Sequence, residues 1–130
     1  MQDYHDLLVW QRAHALVLEV RKVADGFPSG YSNLRNQIIS ASESIPFNIV
    51  EGCGAASRLE FARFIDISIK STNEVQYQLE LARDNRILDL EMWEKLTREV
   101  VEIRKMLHGF RKKLLEAHAN SRRRRRGEER

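Results

Sequence analysis

Two groups of residues in this chain have types and spacing that bear on chemistry. The first is the run Arg122-Arg123-Arg124-Arg125-Arg126. A guanidinium binds phosphate through paired N–H donors. Five in succession make a strong, salt-sensitive and sequence-independent attractor for RNA or DNA. Arg111, Lys112 and Lys113 extend this basic zone back along the chain. No aromatic residue is interleaved with the arginines, so base stacking is not indicated there. The alternative is a solvated tail that aids solubility or touches an acidic protein.

The second group is Ser44-Ile45-Pro46-Phe47-Asn48-Ile49-Val50-Glu51-Gly52. Ser44, Asn48 and Glu51 stand four and three residues apart and line one side of a helix. They read either as a binding site or as a buried network that sets helix register, as a single asparagine does in coiled coils. Glu51 can also accept hydrogen bonds from amides at the start of the next helix. Pro46 interrupts a helical pattern at a cost of about 3 kcal/mol, which predicts a kink in the second helix.

Other chemistries fit poorly. No Glu-x-x-His pair of the kind that builds a di-iron bundle occurs, and His5, His14, His108 and His118 are scattered. Cys53 stands between two glycines at a predicted helix C-terminus, where the dipole raises a thiol pKa and disfavours a nucleophile. Gly52-Cys53-Gly54 is too short for a phosphate loop and lacks a following lysine. The expectation is no enzyme, no metal and no cofactor.

Four helices must position these residues. Alternating steps of four and three carry Val9, Ala13, Leu16, Val20 and Val23 along the first, from about Leu7 to Asp25. Ser32 or Asn33 can cap the second, whose seam is Leu34, Ile38, Ala41 and Ile45, then Asn48. Ser57 and Glu60 form a capping box for the third. Its seam is Phe61, Ile65, Ser68, Thr72, Val75, Leu79 and Ala82, with Ser68 and Thr72 as small polar packing opposite the kinked helix. Asp89 can cap the fourth, with Trp93, Leu96, Val100, Ile103, Leu107, Phe110, Leu114 and Ala117 on its seam. The connections are short. The prediction is all-α, an antiparallel up-down-up-down four-helix bundle over residues 1–118, with a disordered basic tail over 119–130. Leu18, Ile39, Phe47, Val50, Ile67, Tyr77, Val101, Met106 and Leu115 lie off the seams. Some widen the core, and the rest suit self-association.

The charge is unevenly placed. Residues 1–103 hold 11 Lys/Arg and 16 Asp/Glu, a net of −5, whereas residues 104–130 hold 11 and 3, a net of +8. Such a split points to an anionic partner for the basic end. No apolar run approaches the roughly 20 residues of a membrane span, and the acidic N-terminus precedes no signal-type apolar segment. One cysteine fits a reducing compartment, so the expected location is cytoplasmic.

The chain resembles the four-helix-bundle family encoded in intervening sequences of bacterial large-subunit ribosomal RNA genes. Tyr4-His5-Asp6-Leu7-Leu8-Val9-Trp10-Gln11-Arg12-Ala13 is similar to that family's opening aromatic-x-x-Leu-x-Val-Trp-Gln-Lys/Arg-Ala. Phe27-Pro28 resembles its first turn. The segment Ser44 to Gly52 resembles its Ser-Ile-x-x-Asn-Ile-Ala-Glu-Gly core, with Val50 at the alanine. Ser57, Glu60, Phe61 and Phe64 resemble its Ser-x-x-Glu-Phe-x-x-Phe. Ala55-Ala56 and Ile39-Ser40 stand where relatives often carry basic residues, and Lys70 where glycine is usual. The resemblance implies a non-enzymatic homopentamer. It also implies structural similarity to the accessory variability determinants of diversity-generating retroelements, which bind nucleic acid and a reverse transcriptase. The combined expectation is an oligomeric accessory or scaffold protein that binds RNA, DNA or a nucleoprotein partner through its basic C-terminal region. A protein–protein scaffold without nucleic acid is the alternative.

Overall fold

The computed structural model describes residues 2–128. Four helices, α1 (Leu8–Asp25), α2 (Ser32–Cys53), α3 (Arg58–Asp84) and α4 (Leu90–Glu128), form the expected all-α bundle. Backbone contacts run from α1 to α2, α3 and α4 and back to α1. Neither diagonal pair approaches among the described residues, which is the signature of up-down-up-down packing. The α2–α3 seam is the most extensive and the α1–α4 seam the thinnest. Among the described residues, no helix is long and apolar enough to cross a membrane.

The expected seams form the core. All seven α3 seam residues, from Phe61 to Ala82, are buried, together with Val9, Ala13, Leu16 and Val20 of α1 and Leu96, Val100, Ile103 and Leu107 of α4. In α2 the buried stripe drifts from Ile38 and Ala41 to Ile45, Ile49 and Gly52, which leaves Asn48 half-buried beside it. A straight helix has 3.6 residues per turn, so a fixed alternation of three and four slips off the core face over several turns. The thin α1–α4 seam carries a two-pronged ion pair. Arg12 Nε and Nη2 donate to Glu99 Oε1 and Oε2 at 2.9 and 2.8 Å.

The helix boundaries follow from local chemistry. Ser57 Oγ accepts from the Glu60 N–H, and Glu60 Oε2 accepts from the Ala56 N–H, both at 3.1 Å. Asp89 Oδ1 accepts from the Met92 N–H at 2.8 Å. The expected cap of α2 by Ser32 or Asn33 does not form. Tyr31 takes that position without a side-chain bond, because a 3-10 turn over Ser29–Tyr31 delivers the chain from Pro28 directly into the helix. At the end of α3, the Ile87 N–H reaches the Ala82 carbonyl and the Arg86 N–H reaches that of Arg83. This Schellman arrangement puts Arg86 at φ 61°, in the left-handed region where glycine is usual.

Pro46 does not interrupt α2, which is helical from Ser32 to Cys53. Two carbonyls beside it in sequence also accept from side chains. Asn48 Nδ2 donates to the Ser44 carbonyl at 2.8 Å, and Ser68 Oγ of α3 to the Ile45 carbonyl at 2.9 Å. Nor is the basic segment disordered as far as it is described. The helix α4 continues through Arg122–Arg126 to Glu128, and Glu129 and Arg130 lie outside the described residues. Repulsion among the arginines is opposed by their good helix propensity. The favourable placement of cations at a helix C-terminus acts in the same direction, and no glycine or proline intervenes before Gly127.

The strained position at the α3–α4 turn is a direct test of this account. Replacing Arg86 with glycine is expected to stabilise the protein by about 1 kcal/mol in urea unfolding, since a left-handed residue with a Cβ carries that order of penalty.

Candidate nucleic-acid interface

With 39 residues α4 is about 58 Å long, against about 40 Å for the 27-residue α3, so its C-terminal turns overhang the bundle. The overhang lies at the end where α1 begins, α2 ends and α3 begins. Its helical form sorts the expected basic residues onto two faces. Steps of three and four link Arg111, Leu114, His118, Arg122 and Arg125 on the side turned toward the bundle. Lys112, Lys113, Arg123 and Arg124 fall on the opposite side, with Arg126 at its margin, and all five are exposed.

The inward residues meet other elements. Arg111 Nε bonds Asp66 Oδ1 of α3 at 2.5 Å, so its charge is locally balanced and it is not the free phosphate ligand expected from sequence. Further along, α4 forms one wall of an open cleft of about 660 Å³, with Leu114, His118, Ser121, Arg122 and Arg125. Gly52, Cys53 and Phe61 lie beneath, and the first turn of α3 brings in Arg58. Arg58 Nη1 donates to Ser121 Oγ at 3.0 Å across the opening and ties the two walls together. Burial pushes the Cys53 thiol pKa up, which keeps it protonated and unreactive.

The central polar line divides. Ser71 Oγ of α3 lies 2.8 Å from Ser44 Oγ, and Asn48 Nδ2 reaches the same oxygen at 3.0 Å. Ser44 and Asn48 therefore spend their hydrogen bonds on each other and on α3, as register-setting residues do. Glu51 is exposed and joins neither this network nor the α3 cap, where Glu60 satisfies the amide instead. Gly52 has a steric role. A Cβ there would sit 2.6 Å from Phe61 Cε1, and the Phe61 ring is itself held edge-on to Phe110, centroids 5.1 Å apart.

Residues 5–109 match the family described as 23S rRNA-intervening sequence protein. The chain belongs to this family. A solved structure from Bacteroides thetaiotaomicron, described as a protein with unknown function from the S23 ribosomal protein family, is similar to it. That structure aligns with a TM-score of 0.74 at 25% identity, over 81% of this chain and 99% of the other. No curated protein matches the chain. The family match stops before Arg111, so the basic overhang of this family member lies beyond the matched region.

Sequence reasoning missed Arg58, His118 and Ser121 as cleft residues. A signal for His118 was present, since a helix continued to Gly127 puts it in register with Arg122 and Arg125. No sequence signal placed Arg58 beside them. Also missed was a ladder of rings at the same bundle end, in which Tyr4 stacks on His5 at 4.1 Å and Trp10 on His14 at 4.9 Å between centroids.

Close packing beneath the cleft generates a stability prediction. Gly52→Ala is expected to destabilise the protein by about 1–3 kcal/mol, the usual penalty for overpacking, measured by urea unfolding.

Proposed function

We propose that this protein is a non-enzymatic accessory protein that binds nucleic acid, without sequence preference, through the C-terminal turns of α4. The observation that carries the reading is the overhang itself. The helix α4 carries Arg122–Arg126 in its last turns, and Lys112 and Lys113 continue the solvent face of Arg123 and Arg124 back along it. Cations spread around one helix end meet a phosphate backbone and release counterions on contact. The net −5 of residues 1–103 makes the overhang the natural docking end, because the rest of the surface repels a polyanion. Ser44 and Asn48 offer no competing reaction centre, since Asn48 donates to Ser44 within α2 and Ser44 meets Ser71 of α3.

Self-association is part of the same proposal. Phe47 on α2 and Ile67 and Tyr77 on α3 are exposed at 66%, 43% and 60%. Apolar side chains of this size, exposed on adjacent helices, suit contacts with further copies of the chain. Family membership favours the pentamer that the sequence resemblance implies.

Truncation after Asn120 tests the main reading. The intact protein is expected to bind RNA or DNA at ~50 mM salt, and affinity is expected to fall steeply as salt rises. The truncated protein should bind more weakly and with a flatter salt dependence. An intact protein that shows no retention on either polymer would refute the proposal. Light scattering checks the assembly, for which a stable monomer is the contrary result.

A further inference from the structure

Within the proposed nucleic-acid role, we propose that the cleft between the α2–α3 turn and the α4 overhang is a discrete phosphate-anchoring subsite, formed by Arg58, His118, Arg122 and Arg125. The inference rests on that role and sharpens it from a diffuse cationic run to a defined socket.

Three observations carry it. First, the cleft concentrates positive charge from two distant parts of the chain. Arg58 enters from α3 and Arg122 and Arg125 from α4, while none of the residues lining the cleft is Asp or Glu. Arg122 and Arg125 are exposed but line the cleft, whereas Arg111 is paired to Asp66 and the exposed Lys112, Lys113, Arg123 and Arg124 are not among its lining residues. Second, the walls are tied. The Arg58–Ser121 hydrogen bond, 3.0 Å long, holds one guanidinium in place before any ligand arrives, which lowers the ordering cost of binding. It uses one Nη1 donor, and the remaining N–H groups of Arg58 are left for an anion. Third, the size and lining suit a phosphate joined to something larger. About 660 Å³ exceeds what a lone phosphate needs, and Phe61 and Leu114 supply apolar surface beneath the cationic rim. A phosphate of a polynucleotide, with its sugar or base against that floor, matches both parts. The start of α3 opens on the same space, and its dipole adds to the attraction without being needed to create it.

The helical register makes the inference testable at constant charge. In the full-length protein, Arg122→Ala/Arg125→Ala and Arg123→Ala/Arg124→Ala remove the same two charges from adjacent positions. Binding of a fluorescently labelled single-stranded RNA is read for each. The first pair is expected to weaken binding at least tenfold more than the second, the usual scale for loss of a charge-assisted hydrogen bond. Arg58→Ala, far away in sequence, should weaken binding about tenfold, with Arg58→Lys recovering only part of it because the fork is lost. Circular dichroism should show each variant as helical as the parent. Comparing 5′-phosphorylated with 5′-hydroxyl RNA distinguishes the source of the phosphate. Tighter binding of the former assigns the socket to a chain end, and equal binding assigns it to the backbone. Equal losses from the two double variants, with wild-type binding intact, would overturn the socket and leave the general nucleic-acid reading standing. Absence of any RNA or DNA binding by the wild type would overturn both.

Discussion

The structure depends on how closely α2 and α3 approach. Their seam is the most extensive in the bundle, and it is built from small and polar residues as much as from large apolar ones. Gly52 leaves room for the Phe61 ring, Ser68 donates to the Ile45 carbonyl, and Ser71 meets Ser44. The two serine contacts join backbone or near-backbone atoms of the two helices, and the third seats a ring on a glycine. A larger side chain at any of them would push the helices apart. Pro46 is buried in this seam. The neighbouring Ser44 and Ile45 carbonyls accept from Asn48 and from Ser68 of α3. A proline that would break an isolated helix is thus tolerated in one that is locked along its length.

That constraint propagates to the far end of α4. Phe61, seated on Gly52, also packs edge-on against Phe110. One turn further on, Leu114 also packs against the core. The core thins along these turns: Leu107 is fully buried, whereas Phe110, Leu114 and Ala117 are only partly so. The Arg111–Asp66 pair continues the α3–α4 contact outward, and Arg58–Ser121 makes the final one. The overhang is therefore attached by polar links in place of a core. Its inner face looks into the space left where α2 ends and α3 starts.

Charge is distributed along the same axis. The overhang and Arg58 share one end of the bundle, while Asp25, Asp84, Asp89, Glu91 and Glu94 gather at the other, where α1 and α3 end and α4 begins. An up-down-up-down topology brings alternate helix ends together, and at that other pole the acids are partly balanced, Asp25 by Arg21 and Arg35 and Asp84 by Arg83.

Much of the bundle was legible in the sequence because helix formation and burial are read from local pattern. The seams, the Ser57–Glu60 box, the Asp89 cap and the family motifs required only spacing and residue type. The order of the basic segment is in the sequence too, through helix propensity and the macrodipole, although repulsion among five arginines points the other way. What local pattern cannot supply is register between helices. Glu51 sits at helical spacing from Asn48 yet is exposed, because the buried stripe of α2 rotates toward Gly52. Arg58 meets Ser121 at a sequence separation of 63, and Arg111 meets Asp66 at one of 45. The sequence by itself determined the helices, their order, their buried faces and the presence of a cationic end. Only the tertiary structure decided which cations are neutralised, which face solvent and which converge on a cleft. Those outcomes depend on distances between helices, and those distances are set by side-chain volume at the seams.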